Sequence, residues 1–269
     1  MPGNLDRLSR MYSEETWRVY AFLDQSLDPR SMDMLYDVAG EYLRPGSVIL
    51  DAGCRDAQHL IRLAEAHDVV GVGVDPVEVH IERARAAVVA AGLADRIEVF
   101  LGVMQELPYP DEHFDFVWCR DVIEGVDELE AGLHEVARVL KPTGRMLAYT
   151  VFATDLLEPK EEAMLNRLLG SVADNLDEGN VEAAFESAGM AVERKDLIGT
   201  EWREYAEERT HPAARALLRL SRLRRQREAV IRTHGQDIYD HVQANLHWET
   251  YILLGKLSSV LYVLTPRRG

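Results

Sequence analysis

Two short apolar runs, each ending in an acid, constrain this chain more than any other feature. Val48-Ile49-Leu50-Asp51 runs into the turn Ala52-Gly53-Cys54, and Val70-Gly71-Val72-Gly73-Val74 ends at Asp75, twenty-four positions after Asp51. A helical pattern separates them. Strand, tight turn, helix and strand in that order make a parallel βαβ unit. In an open parallel sheet, ligands sit beyond the carboxyl ends of the strands, where the strand order reverses. A glycine turn there lets backbone approach the ligand, and an acid ending the next strand can accept both hydroxyls of a ribose. The pattern predicts binding of an adenosine-containing cofactor.

The turn itself narrows the ligand. A dinucleotide-binding turn reads G-x-G-x-x-G and seats a pyrophosphate on a helix N-terminus. Here it reads Asp51-Ala52-Gly53-Cys54-Arg55-Asp56-Ala57. An acid at its start repels a pyrophosphate and suits a cationic ligand or a water network. The turn resembles the first motif of the class I S-adenosylmethionine-dependent methyltransferases, an acid-x-G-x-G-x-G pattern. Three later segments extend the resemblance: Gly102-Val-Met-Gln-Glu-Leu-Pro108, Pro110-Asp-Glu-His-Phe-Asp-Phe-Val117 and Glu135-Val-Ala-Arg-Val-Leu-Lys-Pro-Thr-Gly144. Together they span about 47–151.

The resemblance implies an α/β fold with a doubly wound, mostly parallel seven-stranded sheet and an antiparallel last strand. It also implies S-adenosylmethionine as cofactor and a methyl transfer to an O, N or C atom of a small molecule. Asp51, Ala52, Gly53 and Cys54 would then lie under the methionyl part, Asp75 and Pro76 at the ribose, and Val103, Met104 and Gln105 at the adenine. Cys119 and Arg120 would face the methyl end. Arg120 is open to three readings: an anchor for a substrate carboxylate, an anchor for the cofactor's own, or a surface arginine paired with Asp121 or Glu124. Asp75 has a plainer alternative as the N-cap of the helix starting near Val77. Four positions depart from the family: Arg55 and Ala57 stand where the second and third glycines are expected, Val103 replaces an acid, and Gly125 replaces a histidine. Two other classes stay open: an enzyme that binds the cofactor without methyl transfer and uses the cap pocket for cyclisation or elimination, and a non-catalytic binding subunit, to which Arg55, Val103 and Gly125 point.

Strand patterns fall at 47–52, 69–74, 97–101, 114–119, 144–151, 191–197 and 258–264, with helical patterns at 57–66, 77–91 and 128–140. The last helix carries a capping-box spacing, Asp127 with Glu130. Before this core, 13–26 and 31–42 read as helices opened by Ser13 and Ser31, and 156–170 reads as another after the fifth strand. About fifty helix-forming residues, 200–254, separate the last two strands, with Pro212 at a helix start. The organisation expected is therefore an N-terminal helical cap over 1–45, a cofactor-binding α/β domain over 46–199, a helical insertion that completes the cap over 200–256, and the last strand over 257–269. Loops and insertions on a rigid scaffold commonly carry specificity. Tyr12, Tyr20 and Trp248 are accordingly expected at the substrate, and His247 is the general-base candidate for a hydroxyl acceptor.

Composition bears mostly on partners and compartment. A net charge of −16 disfavours nucleic acid, since an acidic surface repels phosphate backbones. The polar first ten residues and the lack of a long apolar run predict a cytoplasmic protein with no membrane contact. Two cysteines, Cys54 and Cys119, do not make a disulfide framework or a zinc site. His234, Ile238, His241, Asn245 and Trp248 recur at helical spacing as an ordinary helix face, with no third metal ligand at matching spacing. Seven arginines between Arg215 and Arg232 form a stripe whose preferred partner is an acidic protein surface, that of a second subunit included; an anionic acceptor is the alternative.

Overall fold

The computed structural model describes residues 4–267. Its strands are β1 (Val48–Ala52), β2 (Val70–Asp75), β3 (Ile97–Leu101), β4 (Phe114–Arg120), β5 (Leu140–Ala153), β6 (Met190–Gly199) and β7 (Leu257–Pro266). They form one sheet in the order β3-β2-β1-β4-β5-β7-β6. Strands β1 to β5 pair in parallel, while β7 runs antiparallel to both β5 and β6. The order reverses between β1 and β4, so the carboxyl ends of these two strands open a crevice at the switch point.

Strand side chains alternate between two apolar layers, as a sheet covered on both faces requires. Ile49, Phe116, Trp118, Leu147 and Tyr149 face one layer together with α3 (Asp33–Tyr42), α4 (Gln58–His67) and α5 (Glu78–Ala90). Leu50, Val117, Ala148 and Tyr262 face the other, covered by α6 (Leu129–Val139) and α8 (Glu178–Ser187). A smaller cluster joins α7 (Pro159–Leu169) to the last helix of the insertion.

Several local expectations need correction. The α8 helix was not expected, because its sequence opens on Glu-Gly-Asn and shows only Val181, Ala184 and Phe185 as an apolar stripe. Its N-cap, Asp177, accepts from the Asn180 N–H at 2.9 Å. The predicted capping box of α6 does not form: Glu128 occupies the N-cap position in the left-handed region, with no side-chain cap. The Asp127 carbonyl instead accepts from Gln105 Nε2 at 2.5 Å. Ser13 precedes α2 (Glu14–Leu23) without capping it, and a further helix, α1 (Asn4–Met11), lies before it. The insertion comprises α9 (Glu201–Thr210), α10 (Pro212–Arg225), α11 (Arg227–His234) and α12 (Gln236–Leu253), with Pro212 in the first turn of α10. None of the described helices is long and apolar enough to cross a membrane.

Candidate functional site

A cavity of about 550 Å³ opens at the switch point, between the ends of β1, β2 and β4. Gly53, Asp75, Pro76, Val103, Met104, Gln105 and Arg120 all line it. The sequence pattern thus converges on one place.

The glycine turn is tied to the neighbouring strand: the Gly53 and Cys54 N–H groups both donate to the Val74 carbonyl, at 2.8 and 2.9 Å. Gly53 has φ +80°, and a Cβ there would overlap Val122 Cγ2 and stand 3.3 Å from Cγ1. Arg55 and Ala57, at the family's second and third glycine positions, keep left-handed backbone at φ 48° and 59°. Such backbone costs an L-residue roughly 1–2 kcal/mol. The turn's shape is therefore retained without its glycines.

Asp75 organises the far side of this turn. Its Oδ2 accepts from the Arg55 N–H at 3.0 Å, and Oδ1 from the Val77 N–H and from His80 Nδ1, both at 2.9 Å. The alternative N-cap role does not form, since Val77 is the N-cap residue of α5 and no side chain caps that helix. A ligand role stays open, because a carboxylate offers about four acceptor sites. One site stays open on Oδ2, and the His80 contact can yield to a second ligand hydroxyl.

Asp51, Ala52, Cys54 and Cys119 stand behind the cavity wall as buried residues. Burial first, and repulsion from Asp75 second, push the Asp51 carboxyl up to about 8. Its Oδ2 has no hydrogen-bond partner among the described residues. Burial likewise raises both thiols, so neither is a nucleophile at neutral pH. Nearby, Glu124 accepts from the Val151 N–H at 2.7 Å. Burial, then Asp121, pushes its carboxyl up to about 8.

Other expected site residues lie elsewhere. His247 Nε2 meets Arg224 at 3.2 Å and its ring stands 5.3 Å from Tyr251, on the α10 side of α12. Burial and then Arg224 lower its pKa. Trp248 packs with Val151, Leu157 and Leu165 in the cluster under α7. Tyr12 and Tyr20 are 70% and 57% exposed on α1–α2, helices with no buried residue. The structure therefore brings none of these four to the cavity, and the described cavity lining contains no residue of 200–256. His241 is engaged by Asn245 and the Leu168 carbonyl. Along the arginine stripe, Arg227 donates to Gln236 and stands 5.6 Å from the Tyr239 ring.

Sequence reasoning missed His59, His80, Asp121 and Val122 in the lining, and Tyr36 behind it. His59 and His80 fall in the first turns of the helices that follow β1 and β2. That placement is the one signal that could have found them.

The comparisons agree with this architecture. Residues 50–148 match the family profile described as a methyltransferase domain. The 27-O-demethylrifamycin SV methyltransferase of Amycolatopsis mediterranei is 36% identical over 104 residues, which are 39% of this chain and 38% of that protein. The match thus spans well under half of that relative. Among solved structures, the (4+2)-cyclase SpnF has a TM-score of 0.68 at 19% identity, covering 88% of this chain and 82% of that one. A geranyl diphosphate methyltransferase in complex with S-adenosylmethionine has a TM-score of 0.65 at 16% identity, covering 87% and 83%. At these identities the two solved structures establish the fold alone.

Proposed function

We propose, from the premise that this chain belongs to the class I S-adenosylmethionine-dependent methyltransferase family, that it methylates a small-molecule acceptor in secondary metabolism. The observation that carries this reading is Asp75: a buried carboxylate at the end of β2, facing a cavity of ligand size, with one acceptor site still open. The residues present fit the cofactor. Asp75 and His80 would take the ribose hydroxyls, Val103 to Gln105 would flank the adenine, and the Gly53 turn would carry the methionyl part. The unpartnered Asp51 oxygen suits a donor, an ordered water or an ammonium, at that same end. When bound, the cofactor supplies an electrophilic methyl on a sulfonium. The chain's task is then to hold the acceptor in line with that methyl and to exclude water.

S-adenosylhomocysteine should bind with micromolar affinity and raise the melting temperature by linkage. Asp75→Ala should weaken binding by about 1–3 kcal/mol, the scale of hydrogen bonds to a charged group. Full-strength binding by that variant removes Asp75 from the site. A wild-type protein that binds no S-adenosyl compound defeats the whole reading.

A second reading, cofactor binding with cyclisation or elimination instead of methyl transfer, is favoured by Gly125. It lines the cavity with no side chain, and a Cβ there would meet only the Gly170 carbonyl at 3.7 Å. Mass spectrometry separates the two, by a product heavier by one methylene against an isomer or an eliminated product.

A further inference from the structure

Arg120 ends β4, whose Cys119 pairs with Ala52, so its side chain leaves the sheet beside Gly53. It lines the cavity with 19% of its side chain exposed. Its guanidinium is held from two sides. Nη1 lies 2.7 Å from His59 Nε2, and Nε lies 3.1 Å from the Asp121 carboxylate without the alignment of a hydrogen bond. A buried N–H is thus left without a partner, and no hydrogen bond of Nη2 is found among the described residues.

The His59 contact fixes more than distance. A guanidinium only donates, so Nε2 of His59 must accept. The ring is neutral, because burial first and Arg120 second lower its pKa to about 4. Its single proton therefore sits on Nδ1, where it donates to the Tyr36 hydroxyl. Tyr36 comes from α3, with Arg62 stacked 3.7 Å from its ring centroid and Trp118 at 5.1 Å. The His59 ring lies 5.7 Å from that of Trp118. Aromatic packing locks the chain Tyr36–His59–Arg120 in one arrangement, and its open end is a guanidinium with unused donors in the cavity. A planar fork with free N–H groups matches a carboxylate in a way that a water or a hydroxyl does not. Asp75 stands at the end of β2, so the cavity offers an acceptor for ribose hydroxyls on that strand and a donor for an anion on β4. That polarity is the polarity of an adenosyl amino acid.

We propose that Arg120 clamps the carboxylate at the amino-acid end of the cofactor, and that His59 and Tyr36 are positioning residues that aim it. This inference rests on the cofactor reading above, and calorimetry with two ligands keeps the two apart. S-adenosylhomocysteine carries the carboxylate; 5′-methylthioadenosine has the same adenosine and sulfur without it. Arg120→Gln should weaken S-adenosylhomocysteine by about ten- to a hundredfold and leave 5′-methylthioadenosine unchanged. Tyr36→Phe should reproduce a smaller part of that selective loss. His59→Gln, whose amide oxygen can accept from the guanidinium, should retain more affinity than His59→Ala. A merely structural role would weaken both ligands together. Equal losses for the two ligands, or no loss for either, overturn the clamp; the second result moves Arg120 to the acceptor's anion. If the wild-type protein binds neither ligand, the cofactor reading fails first and the clamp falls with it. Should Arg120→Gln not fold, Arg120→Lys keeps the charge, loses the fork and carries the same comparison.

Discussion

Gly53→Ala is the sharpest test of how the glycine turn is built. Two costs add. The φ of +80° lies where an alanine pays roughly 1–2 kcal/mol. The new methyl also overlaps Val122 Cγ2, on a β-branched side chain with little rotamer freedom. Relieving such overpacking costs about 1–3 kcal/mol. The sum is about 2–5 kcal/mol, a large share of an ordinary domain's stability. With an unfolding entropy of about 2.1 cal/mol/K per residue over a chain of this length, the melting temperature should fall by about 4–9 °C. Val122→Ala separates the two terms. In that background Gly53→Ala should cost only the backbone term, giving a coupling of about 1–3 kcal/mol by a double-mutant cycle in thermal or urea unfolding. Gly125→Ala is the control: its Cβ meets only the Gly170 carbonyl at 3.7 Å, so its effect should stay within about 0.5 kcal/mol. Strict additivity of Gly53→Ala and Val122→Ala refutes the steric reasoning. A melting temperature unchanged by Gly53→Ala refutes both terms.

The raised carboxyls of Asp51 and Glu124 predict a stability that falls with pH. Unfolded, both ionise near pH 4; folded, each holds its proton to about 8, so the native state binds more protons between those values. The depressed His59 works the other way but only below about 6.5, which leaves pH 6.5 to 8 as the clean window. The ligand-free unfolding free energy should drop across it, by up to about 1.4 kcal/mol per pH unit per group. The melting temperature should fall with it, and Asp51→Asn should flatten part of the drop. A flat or rising profile contradicts those protonation states. At the N-terminus, deleting residues 1–28 should leave the melting temperature nearly unchanged, because α1 and α2 bury no residue. The same deletion should abolish turnover if Tyr12, Trp17 and Tyr20 close over the acceptor; retained activity assigns the helices to another task.

Much of this protein can be read from short stretches of sequence. The apolar runs at 48–52, 70–75 and 114–120 form the central strands because residues buried on both sheet faces leave an unbroken hydrophobic pattern. Asp51, Gly53 and Asp75 mark the cavity because strand ends and tight turns have local chemical signatures. The left-handed backbone at Arg55 and Ala57 carries no such signature: nothing in either side chain calls for positive φ, and the hydrogen bonds of the turn to Val74 and Asp75 impose it. Periodicity placed His247 and Trp248 on a helix but could not say which neighbour each face would meet, and packing against Arg224, Tyr251 and the α7 cluster took both away from the cavity. The chain Tyr36–His59–Arg120 joins residues 23 and 61 positions apart. Those contacts exist only because the sheet order sets β4 beside β1 and lays α3 and α4 over one face, so the tertiary structure alone decided which side chains hold and aim Arg120.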